Sequence, residues 1–157
     1  MSINKLNIYN NLIKLTRNKN LYLNLSKKET FSDRLIILFF HFGFFLKYYK
    51  KDLSKNESQK LFDFFIRQIE LSIREIGYGD VSVNKKMKQF VNLFYSIIEN
   101  IEIWENLDHN SRCKLLGNFL NISDNNKFFV DYFEKYRIYI TKNTLNNFTK
   151  DILNLKF

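Results

Sequence analysis

The sequence predicts an all-α, single-domain protein, and three observations carry that prediction. There is no proline and only 4 glycines, so few positions force a break and long helices are easy to build. Apolar residues recur at the 3.6-residue spacing of one helix face through most of the chain. Polar starts that suit helix caps precede these periodic stretches, with no tandem repeat, heptad array or linker between them. At 157 residues the chain is long enough for one domain with a real core.

In chain order, Ile3, Leu6, Ile8, Leu12, Ile13 and Leu15 share a face and predict a first helix. "RNKNLYLNLSKKE" reads as a connection. Either Thr30 or Ser32 caps the next helix, "SDRLIILFFHFGFFLKYYKK", which is apolar nearly all round and therefore belongs at the centre. Its final lysines, Lys47, Lys50 and Lys51, match the negative end of the helix dipole. Ser54 and Glu57 form a capping-box pattern before a helix that carries Leu61, Phe62, Phe65, Ile66, Ile69, Ile73 and Ile76 on one side. Gly77 stands where a helix-ending glycine belongs.

After "GYGDVSV" the cleanest periodicity runs from Met87 to Trp104, with Asp80 or Ser82 as its cap. "LDHNSRCKLLGNFLN" predicts a short helix, and "SDNNKFFVDYFEKYRIYI" a longer one capped by Ser123 or Asp124. Thr144 opens a last helix.

The formal net charge of +9 is unevenly placed. Residues 1–60 hold 12 Lys and Arg against 4 Asp and Glu, whereas residues 61–157 hold 13 against 12. Such asymmetry fits either a solvated basic surface or an anionic partner such as RNA, a ribosome or a membrane leaflet. The single cysteine, Cys113, excludes an internal disulfide and fits a reducing compartment, and its helical setting suits packing better than nucleophilic chemistry. The first twenty residues are too polar for a signal peptide. The longest apolar run, Leu35–Leu46, spans about 18 Å as a helix against about 30 Å of bilayer hydrocarbon, so it predicts a buried helix and not a membrane span.

Enzymatic chemistry is not expected. Metal-site and nucleophile motifs are absent, and the two histidines, His41 and His109, lie far apart in sequence. "GYGD" follows a helix where a dinucleotide fingerprint needs a strand, so a phosphate-loop reading fails on context. No cofactor and no small-molecule substrate are expected. Within the apolar run, His41 is read first as a buried histidine with a hydrogen-bond partner, and Asp80 as a cap or turn residue. Lys85, Lys86 and Lys88 stand near a helix N-terminus, where cations are slightly unfavourable, and should point outward as either a solvated face or a docking patch.

The stretch "LFDFFIRQIELSIREIGYGDVSVNKKMKQFVNLFY", Leu61–Tyr95, resembles the ubiquinol–cytochrome c chaperone family. Ile73, Arg74, Glu75, Gly77, Gly79, Asp80, Val83, Lys85, Met87, Lys88, Phe94 and Tyr95 fit the family's phrase, while Asn92 and Leu93 depart from it. A second block, "LTRNKNLYLNLSKKETFSDRLIILFFHFGFFL", is similar through Leu21, Tyr22, Thr30, Arg34 and His41, with Glu29 and Phe40 as departures. The resemblance covers about residues 9–105, and residues 108–157 read as a helical C-terminal extension.

The resemblance implies a non-enzymatic assembly factor that holds newly made cytochrome b, an apolar membrane-protein client, for the cytochrome bc1 complex. It also implies a small partner protein and proximity to the ribosome. Location is expected to be cytoplasmic, with peripheral contact at an anionic inner membrane. The expected client surface combines Gly77–Lys88 with the helix Arg34–Leu46. Its candidate contacts are Arg34, His41, Asp80, Lys85, Lys86 and Lys88, with Gly77 and Gly79 as hinge. A basic RNA- or ribosome-binding module is the alternative, and a purely structural helical subunit a third reading.

Overall fold

The computed structural model describes residues 4–23, 30–120 and 126–151, and these form helices joined by short turns, with no strand among them. Helix α1 (Lys5–Thr16) begins at Asn4, whose side chain accepts the Asn7 N–H. Ile8, Leu12 and Leu15 face inward as the spacing predicts, but Leu6 lies off that face and is 54% exposed. The expected connection contains a single helical turn, α2 (Lys19–Tyr22), capped by Asn18, which presses Leu21 into the core.

Helix α3 (Phe31–Tyr49) starts with Thr30, not Ser32, in a reciprocal capping box with Asp33. Every residue from Leu35 to Phe45 is buried. Burial of one such aromatic side chain contributes about 1.5–3 kcal/mol, so this helix is the main hydrophobic investment of the fold. Helix α4 (Lys55–Ile76) opens with the Ser54–Glu57 capping box, and α5 (Asp80–Glu102) returns antiparallel beside it. Two short 3-10 turns, Lys50–Asp52 and Trp104–Asn106, follow α3 and α5. Helix α6 (His109–Phe119), capped by Asp108, packs on α7 (Asn126–Lys142). Thr144 caps α8 (Leu145–Asp151) by accepting the Asn147 N–H. The caps anticipated at Ser123 and Asp124 lie outside the described residues.

Around α3 the neighbours divide cleanly. On one side Phe42 stacks on Phe65 of α4 at 3.9 Å between ring centroids, and on Phe94 of α5 at 5.4 Å. There Gly43 lets the backbone of α3 approach α5, because a Cβ at this position would sit 2.4 Å from the Ile101 Cδ1. On the other side Phe40 and Phe44 meet Phe133 of α7, and Phe44 meets the edge of Trp104. Near the chain ends, Asn11 of α1 donates to the carbonyls of Phe148 and Thr149 at 3.0 Å, tying α8 to α1. None of the helices in the described residues is long and apolar enough to cross a membrane.

Candidate functional site

The α4–α5 turn is a projecting tip built from the backbone outward. Gly77 ends α4 in the left-handed region at φ 109°, and its N–H donates to the Arg74 carbonyl. A side chain at that φ is strained, so glycine is required there. Gly79 differs. It is the N-cap of α5 at φ −73° and ψ 165°, ordinary extended backbone that any residue adopts. The hinge role expected of both glycines therefore rests, conformationally, on Gly77 alone. Gly79 also takes the cap position anticipated for Asp80 or Ser82, and Asp80 is the first helical residue, where its charge suits the helix dipole.

Across this turn Arg74 pairs with Asp80 and, at 3.5 Å, with Glu70, which also pairs with Arg67. The Asp80 hydrogen bond is the main cause that raises the Arg74 guanidinium above its ordinary value. Asp80 is thus a clasp between two helices.

Three apolar side chains remain uncovered at the tip: Ile76 is 54%, Tyr78 44% and Val81 85% exposed. Ile76 continues the α4 stripe past the point where α5 covers it. Behind them, Lys85 and Lys88 project from the outer face of α5, opposite Val83 and Phe94, which are in the core. Lys86 does not point freely outward. It is half-buried, with its Nζ 4.5 Å from the centre of the Tyr78 ring. That cation–π contact holds Tyr78 across the tip.

The other expected contacts lie elsewhere. His41 is 0% exposed and reaches no surface. Its Nδ1 lies 3.1 Å from the Thr16 hydroxyl and its Nε2 2.6 Å from the Tyr132 hydroxyl, while Tyr136 donates to the His41 carbonyl. The assignment with Nδ1–H donating and Nε2 accepting from Tyr132 serves both ring nitrogens. Burial lowers the imidazole to about 3, so it is neutral at physiological pH. His41 is a brace between α1, α3 and α7.

Arg34, half-buried in the first turn of α3, lines a cleft against α1 and α4 and is separate from the lysine face. The expectation that Arg34–Leu46 forms part of a client surface is corrected by the same geometry. Helices α1, α4, α5 and α7 cover α3 so fully that only its two ends are accessible.

A second exposed apolar feature was not anticipated. A groove of about 370 Å³ opens where the end of α3 meets α4 and α5, floored by Leu46, Phe62, Ile98 and Ile101 and edged by Lys50 and Lys55. Tyr95, 51% exposed, stacks on Phe62 at its wall. Lys47 does not simply offset its own helix dipole: its Nζ donates to the Ile101 and Glu102 carbonyls at 3.1 and 3.2 Å, closing the C-terminus of α5. In sequence, Phe62 and Tyr95 look like ordinary stripe residues, and only their pairing across helices exposes the groove.

The family model described as Ubiquinol-cytochrome C chaperone matches residues 24–113. The chain belongs to the ubiquinol-cytochrome C chaperone family. The match spans α3, α4, α5 and part of α6, and so includes the whole tip; it omits α1 and α7. No curated protein and no solved structure matches the chain. Membership makes the chain a chaperone or assembly factor with a client protein. Among the described residues no group of three or more His, Cys, Asp or Glu is placed to hold a metal ion. The Cys113 thiol is pushed up by burial, the direction that disfavours the reactive thiolate.

Proposed function

We propose that this chaperone holds newly made cytochrome b during assembly of the ubiquinol–cytochrome c reductase complex, and that the tip of α4 and α5 is its client contact. The observation that carries the reading is the uncovered Ile76, Tyr78 and Val81 beside Lys85 and Lys88. An unfolded or unassembled membrane protein offers apolar segments flanked by polar loops. Exposed apolar side chains receive the first, and lysines orient the second. The groove between Phe62 and Tyr95 extends the same chemistry along α5. Work at the cytoplasmic face of an anionic membrane agrees with this division of labour.

The test is crosslinking in native membranes with wild type, with Val81→Asp and with Lys85→Glu/Lys88→Glu. Cytochrome b is expected as the dominant wild-type product, reduced by about tenfold in either variant, with thermal unfolding unchanged. A variant that unfolds gives the tip a structural role and ends the contact assignment. The +8 balance of residues 1–60 supports a second reading, in which a ribosome or RNA is the partner. Ribosomal products without cytochrome b, and steep salt dependence on bare RNA, would establish that reading instead.

A further inference from the structure

The chain has six arginines. Four of them, Arg67, Arg74, Arg112 and Arg137, are ion-paired with carboxylates. The remaining two, Arg17 and Arg34, have no carboxylate partner among the described residues, and both line the same cleft. This cleft, about 350 Å³, runs between α1, the first turns of α3 and the second half of α4. Its floor is apolar, made by Ile13, Phe31, Leu35, Leu38 and Ile69. Asn10, Tyr9 and Ser72 add polar groups to its lining. Glu75 of α4 opposes Arg17 in its electrostatic effect on Tyr9 and does not line the cleft.

Arg34 has no helix-stabilising reason to be where it is. It occupies the first turn of α3, whose dipole end is positive and disfavours a cation. Two guanidiniums with no carboxylate partner among the described residues, above a floor of hydrocarbon, match a ligand with an anionic head and an apolar tail. Guanidinium forks bind phosphate oxygens in pairs. A volume of this size lies at the lower end for ligand sites and suits a headgroup with the first part of one chain.

We infer that the cleft between Arg17 and Arg34 is a discrete binding site for the phosphate of an anionic lipid, with its acyl chain laid on Phe31, Leu35 and Ile69. Such a site would fix the protein to a membrane in one orientation, which general surface attraction does not. It does not depend on the identity of the client.

The test titrates the intact protein, without client, with short-chain lysophosphatidic acid below its micelle concentration. Lysophosphatidylcholine of the same chain and inorganic phosphate serve as comparisons. The expected result is saturable binding of the acid, about tenfold weaker binding of the choline lipid, and about tenfold loss in each of Arg17→Gln and Arg34→Gln. Lys60→Gln/Lys114→Gln, exposed and outside both the cleft and the tip, should bind as wild type, so a loss there would instead assign the effect to general surface charge and overturn the site. Inorganic phosphate binding as tightly as the lipid would overturn the lipid assignment in favour of a free phosphate. Unchanged binding in both arginine variants would overturn the site itself. Because no client is present, each of these failures leaves the cytochrome b reading where it stood.

Discussion

The two sides of α3 are both packed by aromatic rings, but only one of them also holds a buried polar cluster. Toward α4 and α5 the contact is hydrocarbon, with Phe39 and Phe42 against Phe65 and Phe94 and a glycine admitting close approach. Toward α1 and α7 the rings of Phe40 and Phe44 also pack on Phe133, but a buried hydrogen-bonded cluster is added, in which a single imidazole meets a threonine and a tyrosine. The first side contributes strength and tolerates apolar repacking of its rings, with Gly43 marking where α5 can cross closely. The second side is costly unless every polar group is satisfied, and so specifies how α1 and α7 seat on the central helix. The family model spans the hydrocarbon side and stops short of α1 and α7. The residues beyond that match are therefore needed to finish burying a helix within it.

The largest effect should come from the hydrocarbon side. Phe42→Ala removes a fully buried ring that stacks on two helices and should cost about 3–5 kcal/mol in denaturant unfolding. Tyr132→Phe removes one hydroxyl from the polar side. It should cost about 1–3 kcal/mol by leaving the His41 Nε2 buried without its partner. A loss below about 0.5 kcal/mol would show that the two sides do not differ as argued.

The pH dependence separates them further. Folding lowers His41 from 6.5 to about 3, so below pH 6.5 the unfolded chain binds a proton that the native protein refuses. Its contribution is complete above pH 6.5 and declines as pH falls toward 3, by about 1.4 kcal/mol per pH unit. Between pH 6.5 and 5, before carboxylates titrate, this slope should be present in wild type and missing in His41→Gln. Smallest of all, Gly77→Ala at the tip should cost about 1 kcal/mol, whereas Gly79→Ala should be near neutral. Equal losses at the two glycines would contradict the backbone angles.

Much of this architecture is legible in the sequence because it is local. Capping boxes at Thr30 and Ser54 act within four residues, and Gly77 stops a helix whatever surrounds it. An apolar circumference also announced α3 as central. Features that depend on tertiary proximity are not legible in this way. Nothing in "GYGDVSVNKK" says that Lys86 folds back onto Tyr78, or that Gly79 takes ordinary angles. Lys47 looks like the end of its own helix and instead closes another. Arg17 and Arg34 share a cleft only because α1 crosses the start of α3. His41 was readable as a buried histidine, but its partners lie 25 and 91 residues away.

The lone tryptophan gives this molecule a built-in optical gauge. Trp104 is 0% exposed, lies against Phe44, and donates its indole N–H to Glu134 of α7 at 2.9 Å. Arg112 of α6 covers its ring face at 5.0 Å. Its emission therefore monitors whether α6 and α7 stay seated on α3, from a position remote from both the tip and the arginine cleft. Client or lipid can be added while one wavelength shift reports, without any label, whether occupancy at either place loosens the C-terminal helices.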